Sequence, residues 1–101
     1  NGIHTANALD LLPHALREEW GFAGLVMTDW GTTNPRREGG KYGCSDPALC
    51  IHAGNDVIMP GSAQDIQGIL DGLGTKVTEA ELRACAARIL TVLARLRNAA
   101  K

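Results

Sequence analysis

The sequence predicts an α/β fold with two short parallel strands, flanking helices and a long C-terminal helix. Leu25, Val26 and Met27 are consecutive apolar residues without alternation, which suits a strand buried on both faces of a parallel sheet better than a half-exposed hairpin strand. Residues 56–59 read as a second short strand, and the segments on either side carry helix signals. Near the end, Leu82, Cys85, Ile89, Leu93 and Leu96 recur at helical spacing and make one packing stripe, too short for a coiled coil.

Each element has local punctuation. Asp10 is placed to cap a first helix, with Pro13 in the first turn, where its missing N–H costs least. Leu12, Ala15, Leu16 and Trp20 form that helix's apolar face, and Gly21 ends it. The strand that finishes at Asp29 follows. A loop of about sixteen residues from Gly31 to Asp46 holds Pro35, Gly39, Gly40 and Gly43, and its length is that of a functional loop rather than a plain connection. Asp46-Pro47 opens a short helix, as an N-cap with proline at the first helical position, and Gly54 closes it. After the second strand, Pro60-Gly61 is a stop. Ser62 with Asp65 resembles a capping box ahead of Ile66, Ile69, Leu70 and Leu73. Thr78 with Glu81 is a second capping box, and Val77 is placed to staple onto Leu82. There is no internal repeat, low-complexity tract or evident domain boundary.

Composition narrows the function. The chain has 101 residues, 45% hydrophobic and 21% charged, with a formal net charge of −1. Nothing electrostatic points to nucleic acid or an anionic membrane surface. No apolar run is long enough to span a bilayer, and the N-terminus lacks the basic start and apolar stretch of a signal peptide; in a partial domain that leaves the location of the parent protein open, with the cytoplasm only weakly favoured. Cys44, Cys50 and Cys85 have no metal-ligand or redox spacing, so reduced thiols are expected over a Cys44–Cys50 disulfide. His4, His14 and His52 are widely separated, which argues against zinc. Gly39-Gly40-Lys41 lacks the spacing of a phosphate loop. Arg36, Arg37 and Lys41 read as a solvated loop face, with an anionic sugar or a neighbouring domain as the alternative contact. No metal or cofactor is expected.

The chemistry centres on Asp29, a carboxylate at a strand end, where parallel α/β proteins display catalytic side chains. Trp30 beside it offers a sugar ring a stacking face, so the pair reads as a glycosidase-like site; on the local pattern alone, Asp29 as a cap of the next turn is the simpler reading. Asp56 is a second candidate for the site, and a structural hydrogen-bond acceptor is the simpler reading there too. Glu38 is more simply a solvated loop charge than a catalytic acid.

Asn1-Gly2, Leu11-Leu12, Leu16-Arg17, Glu19-Trp20-Gly21-Phe22, Gly24, Val26-Met27-Thr28-Asp29-Trp30-Gly31, Ala53-Gly54-Asn55-Asp56 and Met59-Pro60-Gly61 occur in one order at fixed offsets. That series resembles glycoside hydrolase family 3, the family of many β-glucosidases, over essentially the whole chain. The resemblance implies that Asp29 matches the catalytic nucleophile and Trp30 an aromatic lining the adjacent sugar subsite. Thr28 stands where many members carry Ser. It also implies the C-terminal part of a (β/α)₈ TIM-type barrel. Such a barrel needs roughly 250 residues, so residues 1–101 are expected to be a single partial domain. The acid/base carboxylate, which in the family comes from another domain, is not matched here. The expected partners are a β-linked glucoside or oligosaccharide and the remainder of the parent enzyme. The expected function is a share in a retaining β-glycosidase, with a non-catalytic α/β packing or interaction module as the alternative. Alone, the chain is expected to be inactive and to self-associate.

Overall fold

The computed structural model describes residues 2–35 and 43–101. A single 3-10 turn, Thr5–Asn7, precedes four helices: Asp10–Glu19, Pro47–His52, Ala63–Gly72 and Glu79–Ala99. The first is wound in the π manner; the amide of Trp20 donates to the carbonyl of Ala15, five residues back, at 3.1 Å. Pro13 lies inside it, and a proline ring crowds the carbonyl four residues back while offering no N–H. The wider winding relieves that crowding. Asp10 is the first residue of this helix rather than its cap, no residue of the helix is buried, and Trp20, expected on its apolar face, is 74% exposed.

The other three helices start where the sequence places them. The Asp46 carboxylate accepts from the amides of Ala48 and Leu49, at 2.9 and 3.1 Å, and Pro47 occupies the first turn. The Ser62 hydroxyl accepts from the Asp65 amide at 3.1 Å and donates to the Asp65 carboxylate at 2.8 Å. Thr78 and Glu81 form a complete capping box. The core sits where these helices meet: Ala48, Ile51, Val77 and Cys85 are buried, with Ile58, Ile69, Leu82 and Ile89 packed against them. The Pro47–His52 and Ala63–Gly72 helices meet where Gly68 and Gly72 of one face Pro47 and Ala48 of the other. A Cβ on Gly72 would lie 2.6 Å from that of Ala48, and one on Gly68 would lie 2.8 Å from the ring of Pro47.

The two predicted strands do not form, and with them the expectation of a partial TIM-type barrel is overturned. Among the described residues there is no strand and no sheet; the two segments share one isolated parallel bridge, Met27 to Val57. Side chains intercept the rungs on either side of it. The amide of Val57 donates to the carbonyl of Val26, and that of Thr28 to the carbonyl of Val57, at 3.2 and 2.9 Å. A further parallel rung would send the Met59 amide to the Thr28 carbonyl and the Trp30 amide to the Met59 carbonyl. Instead the Met59 amide donates to the Thr28 hydroxyl at 3.0 Å, and the Trp30 amide to the Asp29 carboxylate at 2.7 Å. On the other side, the Val26 amide donates to the Asp56 carboxylate, and the Gly24 carbonyl accepts from Arg17. Met27, expected to be sheet core, is 56% exposed.

The Thr78–Glu81 cap carries a pH dependence. Burial pushes the Glu81 carboxyl up, but hydrogen bonds from the Thr78 amide and the His52 ring outweigh it, and the net direction is below the ordinary glutamate value of 4.5. His52 Nδ1 lies 2.7 Å from Glu81 Oε1. A folded-state value below the unfolded one stabilises above about pH 4.5, and that stability is lost as the pH falls through the folded value. Glu81→Gln keeps a side-chain acceptor for the cap but removes the charge. The expected outcome is a loss of roughly 0.5 kcal/mol at neutral pH in urea unfolding, shrinking as the pH falls below about 4.5.

Candidate functional site

Asp56 organises the surroundings of Asp29. Its side chain is fully buried. One carboxylate oxygen accepts from Arg17 Nη2 at 2.8 Å and from the Val26 amide at 2.9 Å; the other accepts from Arg88 Nε at 2.7 Å. Arg17 also donates to the carbonyls of Gly24 and Gly54, at 3.0 and 2.9 Å. Gly54 has φ +93, a turn that glycine makes without strain and that presents its carbonyl to Arg17. The Cys85 thiol donates to the Asp56 carbonyl at 3.1 Å. Of the two sequence readings of Asp56, the structural acceptor is the one the structure shows.

The N-terminal segment is tied to the same body. Asn55 donates from its side chain to the carbonyls of Ala6 and Cys50, at 2.7 and 2.8 Å. Asn7 accepts from the Asp46 amide and donates to the Asp46 carbonyl. Thr32 and Ser45 join the two ends of the long loop through a hydroxyl pair at 2.9 Å and a backbone bond at 2.8 Å. Glu38, Arg36, Arg37, Gly39, Gly40, Lys41 and the motif residue Asn1 lie outside the described residues.

Held by these contacts, residues 26–29 line one wall of a cavity of about 290 Å³, with His4, Leu12 and Asn55 on other sides. Asp29 is on this wall and exposed, and Trp30, 61% exposed, follows it without lining the cavity. A carboxylate at the rim of an open cavity can accept a hydrogen bond or attack an electrophile, and the neighbouring indole offers a flat apolar face. A larger cavity, about 730 Å³, lies beyond Gly31 and is bordered by Thr33, Asp46, Pro60, Ser62 and Gln64. Asp46 is held below the usual carboxylate range: burial pushes it up, but the Lys76 ammonium and the helix amides bring it down. Cys44, Cys50 and Cys85 are free thiols, and burial pushes Cys50 up to about 11, far from a reactive thiolate. Among the described residues no His, Cys, Asp and Glu side chains gather as a metal site, and no helix is long and apolar enough to cross a membrane.

Sequence reasoning missed Arg17 and Arg88 as shapers of the site. Arg88 stands three positions after buried Cys85, on the helix face turned to the core. A cation at that edge was the available signal that a buried carboxylate would meet it.

No protein-family model matches the chain. A β-glucosidase of Rhizobium radiobacter is 38% identical to it over 101 residues, covering 95% of the chain and 11% of that protein. An exo-α-(1→6)-L-arabinopyranosidase of Bifidobacterium longum is 36% identical over 102 residues, 98% of the chain and 12% of that protein. This chain is a homologue of glycosidases. A β-glucosidase of Ruminococcus albus agrees, at 36% identity over 99 residues, 92% of the chain and 10% of that protein. The chain spans about a tenth of the length of these curated relatives. The resemblance carried by the motif series is therefore borne out, and it agrees with a fragment of a glycoside hydrolase family 3 protein.

Removing the buried carboxylate leaves Arg17 and Arg88 facing each other across a hole. Asp56→Ala is expected to lower stability by about 3–5 kcal/mol in urea unfolding. A loss under about 1 kcal/mol would mean that both guanidinium groups find water instead.

Proposed function

We propose that the chain is part of a longer retaining β-glycosidase of glycoside hydrolase family 3, β-glucosidase-like, in which Asp29 is the nucleophile. The observation that supports this most is the alignment of nearly the whole chain with β-glucosidases, together with an exposed carboxylate at the cavity rim. In such a reaction one carboxylate attacks the anomeric carbon while a carboxylic acid, roughly 5 Å away, protonates the leaving oxygen; water then hydrolyses the glycosyl-enzyme. Asp29 suits the first role. Asp56 does not suit the second, because both its oxygens are committed to Arg17, Arg88 and the Val26 amide. The acid/base carboxyl then belongs to the remainder of the longer polypeptide, and the chain alone is inactive, since catalytic groups act as a unit. Trp30 supplies the stacking face for the sugar beyond the cleaved bond.

A second reading, a non-catalytic interaction module, draws on the exposed Leu90, Leu93 and Leu96 of the last helix. Turnover of an aryl β-glucoside by the full-length polypeptide and its loss in Asp29→Asn separate the two, because turnover does not depend on Asp29 if this segment is only an interaction module.

A mechanism-based fluoroglycoside applied to the full-length polypeptide is expected to label the peptide holding Asp29. Asp29→Asn is expected to lower turnover by several orders of magnitude with the fold intact. Labelling at another carboxylate removes the assignment.

Trp30→Ala is expected to lower kcat/KM roughly ten- to thirtyfold, about 1–2 kcal/mol, without erasing the chemistry. Steady-state kinetics read this directly, and an unchanged kcat/KM removes the stacking role.

A further inference from the structure

We infer that Thr28 is a positioning residue for Asp29, acting through the backbone of Met59; the inference rests on the reading of Asp29 as the nucleophile. The two main-chain groups of Met59 bracket the Asp29-Trp30 pair. The Met59 amide donates to the Thr28 hydroxyl at 3.0 Å, and the Met59 carbonyl accepts from the Gly31 amide at 2.7 Å. A continuing ladder would instead use the Thr28 carbonyl and the Trp30 amide, and would draw residues 29 and 30 into register with the neighbouring segment. With the hydroxyl in place of the carbonyl, the Trp30 amide turns to the Asp29 carboxylate, at 2.7 Å. Gly31, at φ +75, turns the chain back so that its own amide reaches Met59. The pair is lifted out of the ladder, and Asp29 stays exposed on the cavity wall.

The device needs an oxygen on the β-carbon of residue 28. Thr28 is 4% exposed, and its own amide is fixed to the Val57 carbonyl at 2.9 Å, so its side chain is held where the Met59 amide arrives. Valine has the same shape and no acceptor. In Thr28→Val the Met59 amide either loses its partner or takes the Thr28 carbonyl, and both outcomes move the Asp29 backbone. Serine keeps the oxygen. Misplacing a reacting group by about 1 Å costs up to roughly a hundredfold in rate without weakening substrate binding to match.

The test compares Thr28→Val with Thr28→Ser in two measurements. In the 101-residue chain, amide hydrogen exchange at Met59 is expected to quicken by about tenfold or more in the valine variant and to stay near the parent rate in the serine variant. In the full-length polypeptide, with an aryl β-glucoside, valine is expected to lower kcat about ten- to a hundredfold with KM within roughly twofold, and serine to restore kcat. Equal behaviour of the two variants in either measurement overturns the inference, as does a valine effect confined to KM. Should Thr28→Val not fold, Thr28→Ala against Thr28→Ser carries the same comparison, and equality there overturns it too. Full turnover in Asp29→Asn would instead remove the nucleophile while leaving the exchange result standing, so the two failures are told apart.

Discussion

The buried carboxylate of Asp56 is the constraint on which the arrangement depends. A charge wholly out of water persists only when it is paired and hydrogen-bonded, and here its partners come from far apart in the chain. Arg17 is 39 residues away, Val26 is 30, and Arg88 is 32. Satisfying one group therefore brings together the first helix, the segment leading to Asp29 and the last helix. The hydrophobic cluster is too small and one-sided to do this: its buried members are Ala48, Ile51, Val77 and Cys85, and the first helix contributes no buried residue. The apolar core holds the three later helices, the ion cluster holds the first helix and the segment before Asp29 to them, and the Asn7 and Asn55 hydrogen bonds hold the N-terminal residues.

That division explains what was legible in the sequence. The starts of the helices after Asp46, Ser62 and Thr78 were legible because capping is decided by residues within three positions of one another. The strands were not, because a ladder depends on what the partner's backbone groups are doing. Leu25-Val26-Met27 has the composition of a buried strand, yet the groups that decide its fate are the side chains of Arg17, Thr28, Asp29 and Asp56, which take the donors and acceptors on both sides of the Met27–Val57 bridge. The Asp10 cap failed for a related reason. The helix begins at Asp10 instead of after it, with Leu9 at the cap and Pro13 inside a π-type winding that the local capping pattern does not anticipate.

The candidate site divides in the same way. Asp29 and Trp30 were readable from residue type and from the motif series, since a carboxylate beside an indole advertises its chemistry locally. What shapes their surroundings was not readable, because it consists of single backbone groups. Met59 enters the site through its amide and carbonyl and not through its thioether; any residue with an amide hydrogen writes that contact equally well. Side-chain identity thus reports what a site does more openly than how it is held.

The Glu79–Ala99 helix runs past the body on which it packs. Its first half is pinned by the capping box, by Cys85 and by Arg88, whereas Leu90, Leu93 and Leu96 are each more than half exposed. A helix is held in water chiefly by what its apolar face touches, so this single element belongs to two cooperative units. In the 101-residue chain, turns held by tertiary contacts are expected to open with the Asp56 cluster, and turns without them at a lower free energy. The longest helix is therefore expected to open in two steps in the 101-residue chain, with the boundary just after Ile89, the last of its residues packed against the core.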